Sequence, residues 1–239
     1  MKLLSIEDKK WLNARFPNLR IKDTIGGFSI AGNLEVKMFY SEPLGKYVVF
    51  PEEDMRSSEY YINDNYQVRV DYKDTFFIPE VYETAGRIKA FAERKNIALP
   101  DLHVNYRGNL CLCPKPLEKV ILNGPYTIER FFTLLVIPFF YAQSYYEKFN
   151  RWPWKDYSHG DPGILECYAD HISKVQEKAA FVESTINSLN SRNQSVVRSA
   201  DQITRQSLCF CGSGKKFRSC HNEAWEAAKM LKRTISNSE

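Results

Sequence analysis

Leu34-Glu35-Val36-Lys37-Met38-Phe39-Tyr40 and Tyr66-Gln67-Val68-Arg69-Val70-Asp71-Tyr72 decide the fold, because both runs change from apolar to polar with a period of two. Leu34, Val36, Met38 and Tyr40 share one face of an extended chain, as do Tyr66, Val68, Val70 and Tyr72. Strict alternation describes a sheet with one buried and one wet face. Gly32-Asn33 and Pro43-Leu44-Gly45 supply turn chemistry, so residues 20–72 read as an antiparallel meander. A one-sided sheet needs helices over its buried face, which sets the class as α+β.

Outward from the meander, residues 6–16 read as a short amphipathic helix that ends near Pro17 and lids the next element. Residues 79–84 are extended, residues 85–94 form a short helix closed before Pro100, and residues 100–116 are rich in turns. Residues 127–149 have a helical pattern that is apolar on most sides, as in a buried helix, with a break or kink at Pro138. Arg151-Trp152-Pro153-Trp154 ends it. From Leu165, the positions Tyr168, Ile172, Val175, Ala179, Val182, Ile186 and Leu189 alternate steps of three and four, which predicts one long amphipathic helix. Its seam packs on the first domain or joins two copies as a homodimer. Residues 191–206 hold only Val196, Val197 and Ile203 to bury and read as a linker or frayed helical extension. The expected organisation is a first domain at 1–163, helix and linker at 164–206, and a C-terminal module at 207–239.

With 239 residues, 44% of them hydrophobic, the chain can bury a real core, which excludes disorder and fibrous architectures. The formal charge of +4 is too small to name a nucleic-acid or membrane partner. Six cysteines and a start that runs directly into Glu7, Asp8, Lys9 and Lys10, with no signal peptide, fit a reducing cytoplasm. The most apolar stretch, residues 131–142, includes Thr133 and Pro138 and is well short of the roughly 20 residues needed to cross a bilayer.

Cys209-Phe210-Cys211-Gly212-Ser213-Gly214-Lys215-Lys216-Phe217-Arg218-Ser219-Cys220-His221 places four soft ligands in one tight loop. Zinc favours four tetrahedral sulfur or nitrogen ligands, and the two glycines allow so short a loop to turn. Cys209, Cys211, Cys220 and His221 therefore predict one structural zinc per chain. A closed set of four leaves no position for a substrate. Gly212-Ser213-Gly214-Lys215 lacks the spacing of a phosphate loop. In its ligand spacing and its Gly-Ser-Gly-Lys-Lys-Phe filling the segment resembles the SEC-C motif, the zinc-binding tail of the SecA translocase and of many other bacterial proteins, which implies a portable interaction module.

His103-Val104-Asn105-Tyr106-Arg107-Gly108-Asn109-Leu110-Cys111-Leu112-Cys113-Pro114 is the second concentration of chemistry. A thiolate is a strong nucleophile, and an asparagine carboxamide can donate to an oxyanion formed at an acyl carbon. Other roles stay open for Cys111: a small buried hydrophobe, a redox partner of Cys113, or a ligand of a second metal with His103, His159, Cys167 or His171. His159, beside Asp156 and Asp161, is a further candidate acid or base or else a solvated loop residue; Cys167 and His171 read as packing residues.

Helix, meander, the extended Phe76-Phe77-Ile78-Pro79-Glu80-Val81, His-x-Asn, Gly-Asn-Leu-Cys-Leu and a helix after Gly124-Pro125-Tyr126 follow in an order that resembles the ubiquitin-conjugating enzyme fold over about residues 5–150. The resemblance implies that Cys111 carries an acyl group as a thioester, that Asn105 steadies the oxyanion and that His103 shapes the loop. Cys113 stands where the family commonly has an acidic residue, Val104 where it has proline, and the spacing from His103 to Cys111 is short. The chain also resembles the stand-alone members found beside cyclic-nucleotide synthases in the anti-phage systems called CBASS. That likeness implies a protein partner, the synthase, attached through its C-terminus and passed to an amine. The competing expectation is a catalytically silent adaptor whose zinc knuckle binds a protein. Membrane and nucleic-acid partners are not expected.

Overall fold

The computed structural model describes residues 4–41, 45–73, 78–199 and 202–237. The chain divides into two compact units, residues 1–112 with 122–155 and residues 113–121 with 156–239. Each is built around its own sheet or helix core.

The first unit contains α1 (Ile6–Arg15), strands β1 (Leu19–Thr24), β2 (Gly27–Ser41), β3 (Lys46–Val49), β4 (Tyr61–Lys73) and β5 (Glu80–Glu83), and helix α2 (Arg87–Lys95). All pairings are antiparallel in the order β1-β2-β4-β5, and β3 joins the far end of β2. The alternation seen in the sequence is the alternation of burial: Leu34, Val36, Met38, Tyr66, Val68, Val70 and Tyr72 face the core. Tyr40 is only half-buried, edge-on to Trp154. The turn expected at Gly32-Asn33 lies elsewhere. The β1–β2 hairpin turns at Ile25-Gly26, and Gly32 sits inside β2 opposite Leu19. Its lack of a side chain serves close approach: a Cβ there would lie 2.2 Å from the Asn18 carbonyl oxygen. Of the other turn, Pro43 and Leu44 lie outside the described residues, as do Phe76 and Phe77 of the extended segment.

The buried helix is present, and its irregularity has a cause. After a second-unit helix, α3 (Lys115–Ile121), the first unit resumes with α4 (Ile128–Phe131), a π turn over Phe132–Val136, and α5 (Ile137–Phe149). Pro138 has no N–H to give and its ring crowds the preceding turn, so the helix widens just before it. Phe131, Phe132, Phe140, Tyr141 and Tyr145 fill the core, with Phe140 against Tyr66 at 4.6 Å between ring centroids. Asp8 caps α4 from α1, its carboxylate accepting from Ile128 N–H at 2.9 Å.

Arg87 joins three elements of this unit, a connection the sequence did not show. It donates to Asp64 on β4 and Glu147 on α5 while lying 4.4 Å above the Tyr66 ring. Burial alone would raise the Asp64 carboxyl; the bonds from Arg87, Ser144 and Asn65 outweigh it and hold it below the ordinary 3.8.

In the second unit the expected single long helix is two, α6 (Asp161–His171) and α7 (Lys178–Ser188). A turn at Ile172–Glu177 separates them, closed by Val175 N–H to His171 O. The break rotates the apolar face, so Phe181 and Thr185 are buried where Ala179 and Val182 were expected. Thr185 is tolerated because its hydroxyl donates to Phe181 O. Of residues 191–206, expected as a linker or helical extension, the first part is helical: α8 (Ser191–Arg198) buries Asn193 and Val197, and Ile203 is buried beyond it. Ala200 and Asp201 lie outside the described residues. A last helix, α9 (Asn222–Ser236), was unanticipated; Ala224, Ala227, Ala228 and Leu231 form its inward stripe. Among the described residues no helix is long and apolar enough to cross a membrane.

Candidate functional site

The knuckle starts as a small hairpin, with Leu208 bridged to Lys216, Cys209 N–H donating to Lys215 O at 2.8 Å and Phe217 N–H to Ser207 O. Gly212 and Gly214 take left-handed φ values of 76° and 73°, which side chains resist. The hairpin delivers Cys209 and Cys211. A short turn over Phe217–Ser219 then delivers Cys220 and His221 at the start of α9. Phe217 packs edge-on to Phe210 at 5.0 Å and anchors both halves in the core.

Ligand atoms of Cys209, Cys211, Cys220 and His221 all lie within 4.8 Å of one another. Cys211 and Cys220 sulfurs are 3.5 Å apart, and His221 Nδ1 is 3.3 Å from Cys209 Sγ and 3.2 Å from Cys220 Sγ. A tetrahedral zinc, with sulfur at about 2.3 Å and nitrogen at about 2.0 Å, requires ligand separations of roughly 3.5–3.8 Å. The residues fit a metal ion such as zinc, held by all four, which would cross-link the hairpin to α9.

The thiols differ in environment. Burial pushes Cys209 up to about 11. Burial acts the same way on Cys211, but hydrogen bonds with the Ser213 side chain and backbone, Cys220 and Cys209 prevail and bring it down to about 6. The knuckle is also tied to the helices. Asn193 Nδ2 donates to Phe210 O and to Asp161, which further accepts from the Asn190 backbone and side chain. This buried Asp161 cluster gave no sequence signal beyond an Asn at a helix start.

The second set of expected residues sits on a different hairpin, in the first unit. Val104 bridges Leu110, Asn105 N–H donates to Asn109 O at 2.9 Å, and Cys111 N–H donates to His103 O at 2.8 Å. Gly108, at φ 81°, closes the turn by donating to Asn105 O. Val104 and Leu110 face inward, 8% and 6% exposed. Asn105 and Cys111 are exposed and Asn109 half-exposed, so two carboxamides and the thiol share the outer face. His103 has a left-handed backbone, and its ring turns to Trp152 at 5.1 Å between centroids. Asn109 is the residue sequence reading overlooked; its place opposite Asn105 was available from the Gly-Asn turn. Cys113 belongs to the second unit and is half-buried.

His159 is exposed, whereas Cys167 is buried in the second unit's core. His171 Nε2 and Asp170 Oδ2 each lie 3.2 Å from the Tyr157 hydroxyl, whose ionisation burial shifts upward.

Comparison with known proteins gives matches to short parts of the chain. A 28-residue stretch is 64% identical to the protein translocase subunit SecA of Koribacter versatilis (strain Ellin345), covering 12% of this chain and 3% of that protein. No solved structure matches the chain. Residues 207–223 match the SEC-C motif, and the chain carries that motif with a Cys3His cluster at its centre.

Proposed function

We propose that the protein is a cysteine-dependent acyl carrier of a bacterial ubiquitin-like conjugation pathway. Cys111 takes the C-terminus of a partner protein as a thioester and passes it to an amine, a lysine being the acceptor. The observation that carries this reading is the hairpin at residues 103–111. Its inward Val104 and Leu110 hold an exposed thiol on the same face as two carboxamides. A thioester is labile enough to hand on its acyl group, and a carboxamide N–H can steady the oxyanion that forms during attack. Asn105 takes that role here, His103 shapes the hairpin through its carbonyl and its contact with Trp152, and Cys113 is auxiliary. The order of elements and the Gly-Asn-Leu-Cys-Leu segment support the likeness to ubiquitin-conjugating enzymes, and with it a CBASS cyclic-nucleotide synthase as the protein joined. Activation of the carboxyl group is the work of another protein.

The test is capture of the adduct in cells. Cys111→Lys should retain the partner as a stable amide whose attached peptide is a protein C-terminus. The wild-type adduct should be cleaved by thiol reductant and by neutral hydroxylamine. Cleavage by reductant alone would make it a disulfide. A second reading is favoured by the SEC-C match: the thiol is silent and the protein is a metal-containing adaptor. Persistent absence of any mass shift on Cys111, with partner and activating source present, would select it.

A further inference from the structure

The three sulfurs of the knuckle are not equally open to solvent. Cys209 is buried, beside Phe210 and Phe217 in the core of its unit, and its Sγ lies 3.3 Å from His221 Nδ1. Cys220 is half-buried. Cys211 is exposed, as is each of residues 212–216 in the loop that follows it. A small reagent in solution therefore meets the Cys211 sulfur first.

The same sulfur has a second one within reach. Cys220 Sγ is 3.5 Å away, and the Ser213 hydroxyl oxygen lies 3.0 Å from Cys211 Sγ and 3.5 Å from Cys220 Sγ. A disulfide at about 2.05 Å needs the two sulfurs to approach by roughly 1.5 Å. They stand nine positions apart in the chain, and the segment between them contains Gly212 and Gly214, both in the left-handed region. Cys209 is separated from Cys211 by Phe210 alone, and a disulfide across one residue closes a strained ring. Exposure and ring size thus select the same pair.

We propose that Cys211 is a peroxide-sensitive modification site with Cys220 as its resolving thiol, and that their disulfide replaces a metal ion as the link between the knuckle hairpin and α9. The inference rests on the fit of the four ligands to an ion such as zinc and is independent of the chemistry at Cys111. The oxidant is a hydroperoxide. The Cys211 sulfur forms a bond to one peroxide oxygen, the oxygen–oxygen bond breaks, and hydroxide leaves to give a sulfenic acid. The Cys220 thiolate then attacks that sulfur, the sulfur–sulfur bond forms, and the sulfenic oxygen leaves as hydroxide. Two thiolates, one hydrogen peroxide and two protons become one disulfide and two waters, with two electrons passing from sulfur to oxygen. Only Cys209 and His221 are then left as ligands, two short of the four a structural site needs. Because Cys211 is on the hairpin and Cys220 directly precedes α9, the covalent link joins the elements that the ion would join.

The experiment treats the zinc-loaded full chain with hydrogen peroxide, follows released zinc with a metal-binding dye, and alkylates free thiols before disulfides are mapped by peptide mass spectrometry. One zinc should leave per Cys211–Cys220 disulfide, with Cys209 still open to alkylation. The oxidised, metal-free second unit should melt about 5 °C above the reduced one stripped by chelator. Cys220→His keeps four ligands but lacks the resolving sulfur, so it should form no knuckle disulfide and hold a sulfenic acid at Cys211 that dimedone traps. If that variant does not fold, wild-type mapping decides alone. Zinc release with Cys211 and Cys220 still reduced, a disulfide at Cys209, or dimedone on Cys209 in place of Cys211 overturns the proposal. A chain that takes up no zinc removes the metal reading instead. A Cys211–Cys220 disulfide formed by peroxide would then still uphold the modification site, and its absence would overturn it.

Discussion

The knuckle hairpin and the thiol hairpin are built alike and differ in what each presents to the core of its own unit. Each is a short antiparallel turn with glycine in the left-handed region, Gly212 and Gly214 in one and Gly108 in the other. In the knuckle, Cys209 and its neighbours Phe210 and Phe217 lie in the core, and the sulfurs converge on one another and on His221. In the thiol hairpin the anchors are Val104 and Leu110, and the cysteine is left on the outside. Turn chemistry is common to both, so it does not decide whether Cys209 or Cys111 lies in the core. The direction in which the apolar neighbours point does.

The largest effect that tests this contrast is loss of the knuckle. Replacing Cys209 and Cys211 together by Ser should bring the metal content from one per chain to near zero. It should also remove stabilisation on the order of 10 kcal/mol from the second unit, read by elemental analysis and thermal melting. Retention of one metal would show that other residues hold it.

Next comes the cluster that ties the knuckle to the helices. Asp161→Ala strands the Asn190 and Asn193 donors and should cost about 3 kcal/mol, with Asp161→Asn losing less. Leu110→Ala should cost about 2 kcal/mol in the first unit and spread the conformations of Cys111, seen as faster hydrogen exchange at the Leu110 and Cys111 amides.

Acid should separate the two units in order. Metal binding needs deprotonated ligands, so the knuckle opens first as pH falls. The Asp64 carboxyl is held below its ordinary value, so its contribution is fully present above 3.8 and is lost as pH falls through its lower folded value. Two acid transitions in circular dichroism are the expected result, the lower one moved to higher pH by Asp64→Asn, which gives up the charged pairing with Arg87.

The smallest structural effect should come from Cys111, the residue to which the proposed function gives the largest functional one. Cys111→Ala changes an exposed side chain and should shift stability by less than about 0.5 kcal/mol while abolishing covalent transfer. Loss of fold in this variant would place the cysteine with those of the knuckle.

Sequence reading succeeded where one physical signal dominates. Period-two burial revealed β2 and β4, and ligand spacing revealed the knuckle. It failed where a local pattern had two meanings. Gly32-Asn33 has turn composition, yet Gly32 is inside a strand because the Asn18 carbonyl leaves no room for a Cβ. The three-four spacing through Ile172 and Val175 continues across a helix break, since a turn and a helix can both place apolar side chains at those intervals. The stripe Ala224, Ala227, Ala228 and Leu231 was legible but small in apolar area, and it lay in the shadow of the ligands preceding it. The Arg87 and Asp161 clusters join residues far apart in the chain, and no short window contains them.

The segment at residues 113–121 belongs to the second unit although the chain has yet to complete the first. Leu117 sits in the same apolar cluster as Leu165, Phe181 and the knuckle phenylalanines. On the ribosome, the helix carrying Leu117 emerges well ahead of the residues that will bury it, and must wait through the synthesis of residues 122–155. A gene fragment cut at residue 156 therefore encodes a knuckle with a missing piece of core, and a fragment stopped there encodes an orphan helix with an uncovered leucine. Inheritance of the two units is linked by this lacing: recombination that moves the tail must move the interior segment with it.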